Sequence, residues 1–466
     1  MQQNTMRRDL SARQISFMAL GMALGVGLFL GSASAIKAAG PGVLVAYLIG
    51  GGMIFLIMRA LGEMAVHRPV AGSFGAYAFE YLGPFAGYLV GWNYWLLMVG
   101  VGVAETTAVG IYMGFWFPDV PQWIWVVSSI AAIAGFNMLN VKAYGELEFW
   151  FALIKVATIL LMIAGGALIL FTGIGHHGVP VGLSNLWRHG GVFPHGVLGL
   201  VSALPIVAYS FAGVEMIGLT AGEAREPKKV IPRAINAVLW RILIFYVGAM
   251  FIIMALYPWT GLGAHGSPFV TTFEALGLRQ AAGIVNFVVV TAALSSFNCV
   301  VFSAARMLVS LAENGLAPAP FARLSASGSP SRAVALTIAC MSVGVLLNYV
   351  VPARVFGWLM SLMSLLSFEV LVTWAMIVLT HMRFRRVMAA RGVTTRFRMP
   401  WARVTSWVCL GFVAFVFVML GIDPSTRGSL IVGAVTIAVL TVIYRRSVSL
   451  QTAAQSTQIA LEVERA

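Results

Sequence analysis

Long apolar runs alternate with short polar segments along nearly the whole chain, and this pattern predicts helices that cross a membrane. Most runs reach about 20 residues, the length that a helix needs to span the hydrocarbon core of a bilayer. We predict about twelve spans, at residues 15–36, 42–64, 84–116, 122–141, 148–172, 196–222, 233–257, 281–312, 333–350, 355–381, 403–422 and 428–444. The expected fold class is an all-α polytopic membrane protein.

The first and sixth runs are interrupted near their centres. The first carries Gly21, Gly25 and Gly27, and each such glycine costs a helix interior roughly 1 kcal/mol relative to alanine. The sixth carries Pro205 and Gly213 among small polar residues. One interpretation is close packing of helices at small residues. The other is a helix that breaks in mid-membrane, where its free backbone groups face a polar solute. Two interrupted helices, each opening a group of five, favour the second interpretation and predict an inverted repeat.

This repeat predicts a division of the chain into six parts. They are an N-terminal cytoplasmic tail at 1–14, a first five-helix repeat at 15–172, a second at 196–381, a basic cytoplasmic loop at 382–402, two further helices at 403–446, and a C-terminal cytoplasmic tail at 447–466.

Composition and charge placement support the same class. Apolar residues make up 60% of the chain and charged residues 10%, whereas soluble domains carry about 25% charge. A net charge of +14 can indicate a nucleic-acid partner, but 24 of the 30 Lys and Arg residues lie in loops on one side and five on the other. This asymmetry predicts that both termini are cytoplasmic. We therefore expect no nucleic-acid partner, and we expect residues 383–403 to contact anionic lipid head groups.

Four ionisable residues lie inside the predicted spans: Glu105, Lys155, Glu215 and Glu369. Ionisable residues are costly to place inside a membrane, so each is a candidate for a functional role. The alternative is that they form ion pairs that hold neighbouring helices together. Four of them in a bundle with two broken helices favour a path for a solute or a proton. Burial penalises the charged form of Lys155, which makes it the first candidate to gain and lose a proton. Glu105 and Glu215 are the alternatives.

Free backbone groups at the two interruptions suit an α-amino acid. Amides at the half-helix start near residues 25–27 attract a carboxylate, and carbonyls near residues 21–24 and 209–213 accept from an ammonium group. The expected substrate-binding residues at the breaks are Ala23, Leu24, Gly25, Val26, Gly27, Tyr209, Ser210, Phe211, Ala212 and Gly213. Tyr209 and Phe211 are candidates for an aromatic lid, with core or lipid packing as the alternative, above all for Phe211. The sequence shows no nucleophile–base set and no metal-ligand spacing, so we expect neither an enzyme nor a metal or cofactor.

Five short motifs carry a resemblance to a known family. They are LSARQI at 10–15, GVGLF at 25–29, RALGEM at 59–64, GEAREP at 222–227 and IPRAI at 231–235. With them, residues 10 to about 446 resemble the amino acid transporter family of bacterial and fungal permeases, in the amino acid–polyamine–organocation superfamily. The stretch YMGFWFP at 112–118 is similar to the proline-, histidine- and aromatic-type branch.

The resemblance implies a twelve-helix, five-plus-five inverted repeat of the LeuT type and proton-coupled uptake of a proline, histidine, aromatic or other neutral amino acid at the bacterial inner membrane. It implies that the substrate backbone sits on the two breaks, with Tyr209 as an aromatic gate. Lys155 matches a fifth-helix lysine that fills the place of a sodium ion in related carriers. Glu105 and Glu215 match acidic positions.

The same resemblance places Ser295, Ser296 and Asn298 on the eighth helix near the substrate. Two residues depart from the family pattern: Val26 replaces a common threonine, and Glu369 stands where a small or hydroxyl residue is expected. An exchanger without net proton flow is the alternative function, and a transporter-like sensor is the next. The sequence predicts no oligomeric state.

Overall fold

A computed structural model describes residues 12–137, 141–174, 178–262, 266–325, 328–350, 352–424 and 426–464. These residues form helices and connecting turns, and they contain no strand. The α-helices, numbered α1 to α19 in chain order, are Ala12–Ala23, Ser32–Ala39, Val43–His67, Ser73–Leu82, Pro84–Met113, Gln122–Asn137, Val141–Thr172, Asn185–Arg188, Gly196–Ser210, Met216–Leu219, Pro227–Arg241, Ala249–Leu256, Pro268–Ala275, Arg279–Glu313, Ser331–Met341, Val343–Val350, Val355–Ala390, Ala402–Ile422 and Arg427–Glu464.

Helices of membrane-spanning length dominate this architecture. In the described part of the chain, nine helical stretches are long and apolar enough to cross a bilayer, and α6 and α9 are shorter apolar helices. Each of the twelve predicted spans coincides with a helix or a broken pair of helices. The expected class, an all-α polytopic membrane protein, is therefore confirmed. The division into two five-helix repeats stays a prediction.

Both interruptions lie where the glycine and proline pattern predicts them. Helix α1 ends at Ala23, and helical structure resumes at Val26 with a π-helix over Gly27–Gly31 that continues into α2. Helix α9 ends at Ser210, and a run of turns leads to α10. Gly213 in these turns has φ +96°, a backbone conformation that side chains rarely adopt. Each break exposes backbone groups in the middle of the bundle.

Two helices run further than the apolar pattern indicates. Helix α17 continues to Ala390, into the loop predicted at 382–402, and α19 continues to Glu464, through the tail predicted at 447–466. Hydropathy marks where a helix leaves the apolar layer, whereas the backbone hydrogen bonds of a helix continue as long as its residues allow. The predicted loop is thus shorter, and its helical part carries basic residues.

Buried ionic contacts anchor this end of the bundle. The Glu63 carboxylate accepts hydrogen bonds from His381 Nε2 at 2.9 Å, Arg385 Nη1 at 3.1 Å, the Met399 amide at 2.9 Å and the Thr395 hydroxyl. These bonds hold the loop after α17 against α3. The RALGEM motif therefore has a structural role in the fold, outside the predicted site.

Helix α14 lies at the centre of the bundle and contacts α1, α5 and α7. It is buried along most of its length. These four helices bring the first break, Glu105, Lys155 and the polar residues of α14 together, and the second break, between α9 and α10, packs against the first.

Candidate functional site

A small cavity lies between the two interruptions and α5. Its walls are formed by Met22, Gly25, Gly27, Met98, Val101, Glu105, Tyr209, Ser210, Ala212 and Ser296. It leaves about 10 Å³ for the centre of a water-sized molecule, which is room for roughly one water. A solute larger than a water molecule therefore fits only after the walls move apart.

Glu105 caps the helix that resumes after the first break. Its carboxylate accepts from the Val26 amide at 3.0 Å (Oε1) and 3.2 Å (Oε2), and from the Ser296 hydroxyl at 2.7 Å. A helix N-terminus favours a negative group, because its first amides have no partner within the helix. The Val26 amide, which lies where we expect a substrate carboxylate to bind, is thus bound by the Glu105 carboxylate.

Lys155 holds the other end of the same break. Its ammonium is fully buried and donates to the Gly21 carbonyl at 2.6 Å. The corresponding expectation, that this carbonyl is free for a substrate ammonium, is therefore wrong for Gly21. The segment between Gly21 and Val26 is held by one positive and one negative side chain of the protein itself.

Glu148 lies beside Gly21, the residue that Lys155 contacts, and the sequence analysis did not predict it as a site residue. Its carboxylate lies so close that a Cβ added at Gly21 would collide with it. Lys155 donates to the carbonyl of the same glycine, so Glu148 and Lys155 meet at Gly21. The spacing of seven residues places Glu148 and Lys155 on one face of α7, two turns apart. That spacing is the signal that identifies the pair.

Ser295 and Asn298 lie beside Glu148 and do not line the cavity. The Ser295 hydroxyl donates to Glu148 Oε1, and Asn298 Nδ2 donates to Glu148 Oε2 at 3.2 Å. Asn137 Nδ2 in turn donates to Asn298 Oδ1 at 2.8 Å. These residues position Glu148, whereas their neighbour Ser296 lines the cavity.

The two broken helices touch at Gly27 and Ser210. The Ser210 hydroxyl donates to the Gly27 carbonyl at 2.9 Å, and the Tyr246 hydroxyl donates to the Ser210 carbonyl at 2.8 Å. A Cβ at Gly27 would stand 2.8 Å from the Ser210 Cα, closer than real Cβ atoms approach a backbone. Tyr209 lines the cavity beside this contact, and its hydroxyl has no hydrogen-bond partner among the described residues.

Phe211 lies in the core of the bundle. Its ring is fully buried and packs edge-on against Tyr47, with centroids 5.9 Å apart, and against Tyr246 at 4.8 Å. It does not line the cavity. This geometry favours core packing for Phe211, and a role as an aromatic lid stays a prediction.

Other expected residues lie outside the cavity lining. The Glu215 carboxylate accepts from the Gly213 amide at 3.1 Å and so closes the turn of the second break. Glu369 is buried in α17, and its carbonyl accepts from Asn93 Nδ2 at 2.9 Å. Leu24, Val26 and Gly213 form the breaks but do not line the cavity, and Ala23 is the last residue of α1. The sequence does not single out Met22, Met98 and Val101, since apolar residues in a span look like core.

Phe211→Leu is expected to lower stability without changing what is transported. Large-to-small substitutions in a core cost roughly 1–3 kcal/mol, because packing around the lost atoms relaxes only in part. Thermal unfolding in detergent and uptake competition by an amino acid panel measure the two properties. Tyr209→Leu is the matched control, for which we expect altered competition. A changed amino acid preference in Phe211→Leu would contradict the assignment of Phe211 to the core and favour a substrate-binding role.

Comparisons with known proteins show which family this chain resembles. A family model described as "Amino acid permease" matches residues 14–454. The chain is 53% identical over 444 residues to the uncharacterized amino acid permease YtnA of Bacillus subtilis, covering 95% of both chains. It is 44% identical over 439 residues to a probable threonine/serine transporter, YbxG, of the same species, covering 94% of both. It is 45% identical over 439 residues to the aromatic amino acid transport protein AroP of Escherichia coli, covering 94% of this chain and 95% of that one.

Proposed function

This chain belongs to the amino acid permease family, and we propose that it imports a neutral amino acid together with protons by alternating access. It is a multi-pass membrane transport protein of that family, not an enzyme. The proposed location is the bacterial inner membrane, with both termini cytoplasmic. The observation that carries the proposal is the first break, where Glu105 and Lys155 hold the Val26 amide and the Gly21 carbonyl next to the cavity.

An α-amino acid matches the chemistry of that break. Its carboxylate is equivalent to the Glu105 carboxylate at the Val26 amide, and its ammonium group is equivalent to the Lys155 ammonium as a donor to backbone carbonyls. Helix N-termini bind either carboxylate by the same partial charge. We propose that the substrate carboxylate displaces Glu105 from Val26 when the cavity opens.

The cavity lining supports a neutral side chain on the substrate. Met22, Met98 and Val101 offer apolar surface, and Tyr209 offers an aromatic face. Within the described part of the chain, Glu105 is the one charged residue of this lining, and it is already engaged by the Val26 amide and the Ser296 hydroxyl. A charged substrate side chain would therefore be buried without a free partner, at a cost of several kcal/mol. Relatives named for aromatic amino acids and for threonine or serine fit this range, and proline and histidine belong to the same test panel.

Displacement of Glu105 provides a reason for proton coupling. Among the described residues, a carboxylate released from the Val26 amide keeps only the Ser296 hydroxyl as its hydrogen-bond donor. Leaving such a charge buried and underpaired is costly, and uptake of one proton removes the charge. Lys155 and Glu148 lie across the same break and form the second part of the proposed proton-carrying group.

Uptake of labelled amino acids into proteoliposomes tests the function. The expected result is accumulation of one group of neutral amino acids, driven by an inward proton gradient and abolished by a protonophore. Counterflow that is independent of any gradient would favour the exchanger. Binding without flux for every member of the panel would contradict the permease proposal and favour a sensor.

Glu105→Gln is expected to uncouple transport from the gradient. Glutamine keeps the length of the side chain and one carbonyl acceptor for the Val26 amide, but it cannot exchange a proton at neutral pH. Gradient-driven accumulation should fall about tenfold or more, equivalent to about 1.4 kcal/mol, while counterflow between equal concentrations persists. Glu369→Gln is the matched control, because this carboxylate is also buried in the membrane but lies outside the cavity. Unchanged accumulation in Glu105→Gln would move the coupling site to Lys155 or Glu215.

A further inference from the structure

A crevice of about 450 Å³ opens between the ends of α17 and α18 that carry the basic loop. Its lining includes Arg385, Arg386 and Arg403 together with Ser406 and Trp407. Residues 382–403, which contribute most of this lining, contain seven arginines and no acidic residue. The crevice is thus strongly basic, and it shares no lining residue with the cavity at the helix breaks.

Two of the three arginines are available to an external anion. Arg385 is committed to the Glu63 carboxylate at 3.1 Å. Arg386 and Arg403 are exposed, and within the described ranges neither makes an ion pair or a side-chain hydrogen bond. A guanidinium group binds a phosphate through two parallel N–H donors, and two of them on facing helices can hold one phosphate from both sides.

The crevice is continuous with the outward apolar surface of both helices. On α17, Leu379 is 40% exposed and lies two turns before Arg386 on the same face. On α18, Trp407 is 64% exposed and follows Arg403 by one turn, next to the exposed Val408. In a membrane these faces meet acyl chains, and exposed tryptophans occupy the depth of the lipid head groups. An amphiphile with an anionic head therefore matches this surface better than a free anion.

We propose that the crevice between α17 and α18 binds an anionic phospholipid. The phosphate lies between the Arg386 and Arg403 guanidinium groups, and an acyl chain follows Leu379, Trp407 and Val408 along the outer surface. Bound there, the lipid links the end of α17 to the start of α18. It also neutralises charge next to the Glu63 cluster that anchors the loop.

Lipid retention by the purified full chain tests this site. We would delipidate the protein in a neutral detergent, add phosphatidylglycerol, phosphatidylcholine or inorganic phosphate, and record bound adducts by native mass spectrometry and the thermal midpoint. The expected result is retention of phosphatidylglycerol with a raised midpoint, little effect of phosphatidylcholine and no effect of inorganic phosphate. An equal effect of inorganic phosphate would overturn the lipid as occupant.

Variants locate the site. Arg386→Gln with Arg403→Gln should lose most of the retained phosphatidylglycerol, severalfold relative to the unaltered chain. Arg383→Gln with Arg396→Gln is the matched control, since it removes the same charge from the same segment outside the crevice lining. Equal loss in both pairs would show that net charge alone attracts the lipid and would overturn the site. Arg403→Gln alone decides the same question if the first pair is not recovered folded.

Discussion

Lys155→Met is expected to abolish gradient-driven uptake and to lower stability by about 3–5 kcal/mol, the cost of removing one partner from a buried charge group. Methionine has nearly the length of lysine but no charge. The Gly21 carbonyl then loses its donor at 2.6 Å, and the buried Glu148 carboxylate beside Gly21 loses a nearby cation. Proteoliposome uptake with an inward proton gradient and thermal unfolding in detergent measure the two effects.

A second variant separates the coupling role of Lys155 from its structural role. Lys155→Met combined with Glu148→Gln removes one charge of each sign from the Gly21 contact, and we expect it to recover part of the lost stability. Uptake should stay lost, because the proton-exchanging ammonium is still missing. Gradient-dependent uptake that survives Lys155→Met would place the coupling proton on Glu105 or Glu215. Recovery of full uptake by the double variant would make Lys155 a structural residue only.

Gly27→Ala is expected to prevent the two broken helices from packing as they do here. The added Cβ would lie 2.8 Å from the Ser210 Cα, a backbone atom that cannot rotate away. Overpacking of this kind costs typically 1–3 kcal/mol, and the backbone shift would also lengthen the Ser210–Gly27 hydrogen bond of 2.9 Å. We therefore expect a lower thermal midpoint and a loss of most uptake, since the same contact forms one wall of the cavity.

Gly52→Ala is the matched control for this substitution. Gly52 also lies inside a helix, but a Cβ there meets nothing within 4 Å. Alanine is favoured over glycine in a helix interior by about 1 kcal/mol, so stability should be unchanged or slightly raised and uptake should persist. Wild-type uptake by Gly27→Ala would contradict the close contact between the two breaks.

The positions of the helix breaks were predictable from the sequence, but the side chains that bind the backbone groups of the first break were not. Glycines and a proline inside apolar runs indicate interrupted helices by local backbone physics alone, and the structure has both breaks at those residues. The same local physics predicts free amides and carbonyls. In the fold, the Val26 amide meets Glu105, 79 residues away, and the Gly21 carbonyl meets Lys155, 134 residues away. A pattern of period 3.6 contains no information about such pairs.

Phe211 and Glu148 also show that a local sequence pattern does not determine where a side chain lies in the fold. Phe211 follows Tyr209 at a break, which suggests a lid, yet the turn after Ser210 directs its ring into a cluster with Tyr47 and Tyr246. Glu148 stands at the edge of an apolar run, which suggests a position near the membrane surface. Because α7 extends back to Val141, this carboxylate is instead buried against Gly21.

Hydropathy and charge placement were therefore sufficient for the class, the approximate spans and the expectation of cytoplasmic termini, because these depend on the transfer of single residues between water and lipid. The composition of the cavity wall, the shared ion group at the first break and the arginine crevice depend on which helix faces lie against each other. Helix packing decides those contacts through shape and through the pairing of buried charges, and both are properties of residues distant in the chain.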